Sequence, residues 1–137
     1  MKVTTIHHLV KAGDLNHHGT LFAGRTAEWF VEAGFIAAAG LAQPENIVCL
    51  KIHGMKFSHP VPKGAILCLE SRVVFAGKTS LVTHVESEYN DQIVLEGFIT
   101  FVNVDENGRP APHQLSINAV TEEERSLQKQ ARQLIRS

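Results

Sequence analysis

The residues best placed to do chemistry lie ahead of one expected helix and along it. Lys11 to Gly19 is a polar, glycine-containing loop that carries Asn16, His17 and His18. Thr20 has a hydroxyl able to cap a helix starting just after it. At such a start the first N–H groups lack partners and the helix dipole is positive, so an oxygen gaining negative charge is favoured there. Further on, Arg25, Glu28 and Glu32 are spaced three and four apart and form one narrow stripe. Two of the three are carboxylates that can accept a proton. Gly77-Lys78-Thr79-Ser80 has the look of a phosphate loop but not its grammar. That motif needs a glycine where Arg72 stands, and a helix should follow, whereas a strand follows here. The histidines do not read as a metal centre. His7 and His8 point to opposite faces of a strand, His17 and His18 are neighbours in a loop, and no cysteine joins them at ligand spacing. No metal is expected.

These groups need elements to hold them. Val3 to Val10 is rich in Val, Thr, Ile and Leu and predicts a strand. Leu21 to Ala39 predicts a helix of roughly 30 Å at about 1.5 Å per residue, ended by Gly40 and Pro44. Leu21, Phe22, Phe30, Ala33, Phe35, Ile36 and Ala37 put apolar groups on nearly every side of it, which predicts a buried helix. Strands are expected at Ile47–Phe57, Ala65–Ala76, Thr79–Tyr89 and Ile93–Val104. Short turns at Gly77-Lys78 and Asn90-Asp91 join the last three into a meander. Thr121-Glu122-Glu123-Glu124 is a capping-box signal for a polar helix running to about Ile135. Its acids come first and its bases (Arg125, Lys129, Arg132, Arg136) come last. The dipole favours that order, so a surface helix explains the charges without nucleic acid. The fold class is α+β. One curved antiparallel five-stranded sheet must cover a long apolar helix, and covering an exposed sheet edge predicts a homo-oligomer, with a dimer as the minimum.

The 137 residues suit one domain spanning 1–137. A net charge of -1 offers no field for nucleic acid or an anionic membrane. Cys49 and Cys68 sit in apolar runs and suggest a reduced, cytoplasmic chain. Met1 to Val10 lacks the apolar core of a signal peptide. Three charges make Leu21 to Ala42 a poor membrane span.

Asn16-His17-His18-Gly19-Thr20-Leu21-Phe22-Ala23-Gly24-Arg25 resembles the opening motif of the acyl-CoA hydrolase branch of the hotdog thioesterases, approximately N-x-x-G-x-x-x-G-G before a helix. The likeness continues at Phe57-Ser58-His59-Pro60-Val61-Pro62-Lys63-Gly64 and Gly77-Lys78-Thr79-Ser80, and ends near Val104 to Pro110. It covers most of the chain, and four motifs in the right order are more specific than any one of them.

The resemblance implies hydrolysis of an acyl-CoA thioester with no cofactor beyond the coenzyme A of the substrate. It implies that Asn16 holds the attacking water or the thioester carbonyl. It makes the backbone N–H groups around His18, Gly19 and Thr20 candidates for polarising the carbonyl oxygen. Relatives carry an aspartate on the helix, and alignment puts Val31 there. Glu32, about 100° around the helix, and Glu28, one turn earlier, are the carboxylates that could replace it, unless a partner subunit supplies one. The hairpin Gly77, Lys78, Thr79 and Ser80 would line the coenzyme A channel, with Lys78 and Arg109 meeting phosphates. The lost aspartate also supports a non-catalytic acyl-CoA binding or sensing protein. A hotdog dehydratase would want a catalytic His with a carboxylate, and no such motif is visible.

Overall fold

The computed structural model describes residues 1–136. In chain order the elements are β1 (Thr4–Leu9), α1 (Ala23–Ala39), β2 (Ile47–Phe57), β3 (Ile66–Ala76), β4 (Ser80–Tyr89), β5 (Gln92–Asn103) and α2 (Glu122–Arg136). Short 3-10 turns lie at Ala12–Asp14 and Pro44–Asn46. The strands form one antiparallel sheet in the order β1-β3-β4-β5-β2. This is the hotdog arrangement. The β4–β5 turn is the two-residue kind the sequence implied. Asn90 and Asp91 both take positive φ, 57° and 61°, and these short polar residues tolerate that where most side chains do not.

Successive residues of a strand point to opposite faces, so the sheet has two apolar sides. On one side Leu67, Leu69, Val85, Leu95 and Ile99 pack with Phe30, Ala33 and Ala37 of α1. On the other, Val74 and Val82 pack with Leu127 and Ala131 of α2. Gly34 brings α1 close to the sheet. A Cβ built there would lie 2.7 Å from Ile99 Cδ1 and 2.9 Å from Thr83 Oγ1.

Two expectations for α1 need correction. The helix is not enclosed on every side. Thr26, Trp29, Phe30, Ala33, Gly34, Ala37 and Ala38 are buried, while Glu28, Glu32 and Ile36 are exposed. One sheet covers one side of a cylinder, and the opposite stripe stays open in a single chain. Nor does Thr20 cap it. The helix starts at Ala23 after Phe22, which makes no side-chain cap. Leu21 N–H donates to Val61 O at 2.8 Å and Thr20 bridges to Pro62, so pairing with the chain before β3 keeps residues 20–22 extended.

The capping box of α2 forms as expected. Glu124 N–H donates to Thr121 Oγ1 at 3.1 Å, and the Glu124 carboxylate accepts the N–H groups of Thr121 at 3.2 Å and Val120 at 2.8 Å. These bonds, with the Met1 amine 3.2 Å away, hold its carboxyl down at about 2. Further along α2, Gln128 Nε2 donates to Val74 O at 3.1 Å and Ile117 O at 3.0 Å. Val74 is the extra residue of a bulge between the pairs Val73–Thr83 and Phe75–Val82.

Candidate active site

The Asn16 loop is a tight reversal. Asn16 N–H donates to Thr20 O at 2.7 Å, Gly19 N–H donates to Asn16 O at 3.1 Å, and Leu15 bridges to Leu21. Gly19 turns the corner at φ +81°, a left-handed conformation that glycine adopts without a Cβ penalty. Asn16 organises the rest. Its Oδ1 accepts the N–H groups of His18 at 2.9 Å and Thr20 at 3.2 Å, and its Nδ2 donates to Thr20 Oγ1 at 3.1 Å.

This bonding consumes the backbone donors expected to polarise a carbonyl. The N–H groups of His18, Gly19 and Thr20 are all satisfied inside the loop. The unpartnered donors sit later because the helix starts later. Arg25 and Thr26 N–H donate to Phe22 O at 3.0 and 3.1 Å, which leaves Ala23 and Gly24 N–H without a hydrogen-bond partner among the described residues.

A cleft of about 250 Å³ opens beside these donors. Asn16, Thr20, Ala23 and Thr26 line it together with Ser58 and His59 and the apolar Phe57, Val61 and Val94. It joins the first and second motifs of the sequence. Ser58 N–H donates to Val94 O at 3.0 Å, and Val94 is the bulged residue of β5, so an irregular strand anchors the Ser58–His59 segment. A larger cavity of about 550 Å³ lies at the other end of α1, beside Ile36, Gly40 and Leu41, and shares no residue with the Asn16 cleft.

The helix carboxylates do not reach the cleft of their own chain. Glu28 lies 3.9 Å from Arg25, which in turn lies 3.4 Å from Asp14. Glu32 lies 3.8 Å from His8 Nε2, and the His8 ring stacks on Trp29 with centroids 4.2 Å apart. Val31 packs against the core. The hairpin is also remote. β3 runs from Ile66, paired with Leu9, to Ala76, which puts Gly77 roughly 35 Å along the sheet at about 3.3 Å per residue. There Gly77 N–H donates to Ser80 O at 3.0 Å, and Thr79 and Ser80 line a separate cavity of about 320 Å³. Lys78 and Arg109 are exposed, and Arg109 N–H donates to Asp105 Oδ1 at 3.0 Å. One chain therefore unites Asn16 with Gly19's turn but not with Glu28, Glu32 or the hairpin.

Sequence reasoning missed three things. His59 lies in the Phe57–Gly64 motif with no role assigned by the sequence, although its place after a strand and beside a proline marks it as a held loop residue. The Ala23 and Gly24 donors lie beyond the helix start that Thr20 predicts. The third is a cluster of ligating side chains that linear spacing does not reveal. His84, Glu86 and Glu96 bring their donor atoms within 4.8 Å of one another on the α2 side of the sheet. Cross-strand pairing of Glu86 with Glu96 creates this group, and linear spacing cannot show it. Burial lowers the His84 pKa against the opposing hydrogen bond from Glu96, and burial, then Glu96, raises that of Glu86. His84 Nε2 already has Glu96 as a partner at 2.9 Å. Among the described residues no helix is long and apolar enough to cross a membrane.

Comparison with known proteins follows the same outline. Residues 18–94 match the family model described as the thioesterase superfamily. The uncharacterized acyl-CoA thioester hydrolase YkhA of Bacillus subtilis is 30% identical over 105 residues, covering 72% of this chain and 60% of that protein. An apo-hexameric acyl-CoA thioesterase superposes with a TM-score of 0.87 at 30% identity, covering 96% of this chain and 86% of that one. The acyl-CoA hydrolase of Staphylococcus aureus, solved with butyryl coenzyme A, coenzyme A and coenzyme A disulfide, gives 0.85 at 25% identity, covering 98% and 82%.

Proposed function

The chain belongs to the thioesterase superfamily, and from that membership we propose that it hydrolyses an acyl-CoA thioester to a free carboxylic acid and coenzyme A. The observation that carries this reading is the cleft that Asn16 lines together with Ala23, whose N–H is unpartnered at the start of α1. Donors at a helix start, fixed before substrate arrives, stabilise an oxygen that gains charge as water adds to the carbonyl. Asn16 sits where its amide can hold the water or the carbonyl. The reaction needs only water and the substrate, so no metal or redox cofactor enters it. The names of the compared hydrolases and the bound butyryl coenzyme A of one of them support the substrate class.

The proposed working unit is a homo-oligomer in the cytoplasm. β2 is an edge strand with Val48, Leu50 and Ile52 exposed, and an uncovered apolar edge favours pairing with a second copy. One compared thioesterase is hexameric. Assembly would also allow Gly77, Lys78, Thr79, Ser80 and Arg109 of one subunit to meet coenzyme A held in the cleft of another.

Val31 in place of an acid, with Glu28 and Glu32 turned from the cleft, favours a second reading, a non-catalytic acyl-CoA binding protein. One assay separates the two. Purified protein is given acetyl-, butyryl-, hexanoyl-, palmitoyl- and aromatic acyl-CoA, and thiol release is followed. Turnover of any of them that disappears in Asn16→Ala supports the enzyme. Tight binding with no turnover supports the binding protein.

A further inference from the structure

We propose that His59 is the general base of this chain, the group that takes a proton from the attacking water. The inference rests on the thioesterase reading above. It begins from the composition of the cleft. Asn16, Thr20, Thr26 and Ser58 are polar but hold no proton that moves near neutral pH, and the remaining walls are apolar. His59 is the one lining residue with a side chain built for proton transfer. The acids near the loop are committed elsewhere. Asp14 accepts Lys11 N–H at 2.8 Å and faces Arg25, Glu28 faces Arg25, and Glu32 faces His8. His59 has no hydrogen bond or ion pair among the described residues, so its ring nitrogens are open to water.

The backbone around His59 is pinned on both sides. Ser58 is tied to Val94 of β5, and three residues later Val61 O accepts Leu21 N–H from the Asn16 loop. Pro60 restricts the residue before it to extended conformations, which narrows the directions the imidazole can take. The base thus lines the same cleft as Ala23, and a hydrogen bond of 2.8 Å ties its segment to the Asn16 loop.

The proton balance closes with this one group. Neutral His59 removes a proton from water as its oxygen bonds to the thioester carbon, and the carbonyl oxygen becomes an oxyanion against Ala23 N–H. When the oxyanion collapses, the carbon–sulfur bond breaks. The imidazolium returns the proton to the departing thiolate, and the products are the carboxylic acid and the coenzyme A thiol. Histidine suits both halves because one ring nitrogen can accept the proton and give it back.

The test uses full-length His59→Gln, His59→Ala and Asn16→Ala with the acyl-CoA that the wild type turns over best. The expected result for His59→Gln is a fall in kcat of about 10²- to 10⁴-fold, the usual share of general base catalysis. Coenzyme A affinity and melting temperature stay within error of wild type, because the side chain is exposed and unbonded. Added imidazole restores part of the His59→Ala rate, which a packing role would not allow. Wild-type turnover that is lost in Asn16→Ala but kept within twofold in His59→Gln overturns the proposal and leaves the thioesterase reading intact. A wild type that turns over no acyl-CoA overturns both.

Discussion

Replacing Asn16 by alanine or aspartate separates its work in the loop from its work on substrate. Alanine removes the acceptor for His18 and Thr20 N–H, at 2.9 and 3.2 Å, and the donor to Thr20 Oγ1, at 3.1 Å. A typical intramolecular hydrogen bond contributes about 0.5–1.5 kcal/mol net. His18 is exposed and its N–H can turn to water, so the low end applies there. The Thr20 bonds are partly buried and cost more to lose. The sum for Asn16→Ala is about 2–3 kcal/mol, or a melting temperature roughly 7–11 °C lower for a domain of this size. Aspartate keeps the Oδ1 acceptor, and Thr20 Oγ1, 3.4 Å from it, can then serve as the donor. Asn16→Asp therefore recovers most of the stability. Differential scanning calorimetry at neutral pH reads both variants, with thiol release measured on the same samples. A variant that melts with the wild type yet fails to turn over acyl-CoA places the amide in the chemistry. The reasoning is refuted if Asn16→Ala melts with the wild type, or if Asn16→Asp falls as far as alanine.

Other outcomes follow from the same coordinates. A Cβ at Gly97 would lie 2.7 Å from the carbonyl oxygens of both His53 and Gly54, backbone atoms of the β2 bulge, and 3.1 Å from Phe30 Cζ. Gly97→Ala should cost about 1–3 kcal/mol of overpacking, offset by under about 1 kcal/mol from the stiffer unfolded chain, and lower the melting temperature by several degrees. An unchanged or higher value would show that β2 yields freely. For Glu124, a folded-state pKa depressed to about 2 means that its stabilisation is complete above the unfolded carboxyl range. It is then lost as pH falls from about 4.5 toward 2. Hydrogen exchange of the α2 amides should therefore quicken across that window in the wild type, and Glu124→Gln should show no such step. Equal pH dependence in both would remove Glu124 as the cause.

The sheet and both helices were legible in the sequence because their signals are local. Alternation in 79–89, the Asn90-Asp91 turn and the Thr121–Glu124 box each depend on residues within one turn or one strand. What was not legible depends on contacts between distant segments. Thr20 has every local property of a helix cap, yet its pairing with Pro62 holds it outside the helix. The apolar girth of α1 suggested burial all round, but one chain supplies a sheet on one side only, and Ile36 is left 40% exposed. Asn16 and Gly19 were found together because they share a loop. His59 entered the cleft through a link between the segment after β2 and the bulge of β5, which no pattern within residues 57–64 encodes. The His84, Glu86 and Glu96 cluster has the same origin, since residues ten apart became neighbours by strand register.

The contact between Gln128 and Val74 bears on how the sheet avoids unwanted partners. β1 pairs with β3 only from Ile66 to Ser71, so among the described residues the later half of β3 has no neighbouring strand on that flank. A bulge there twists the chain out of a clean ladder, and a glutamine amide occupies the carbonyl that the bulge sets loose. Where an additional strand would otherwise dock, the molecule offers a crooked backbone stoppered by a side chain. Growth by strand addition is thereby discouraged on this flank, while β2 at the other border keeps its apolar edge available for a deliberate match.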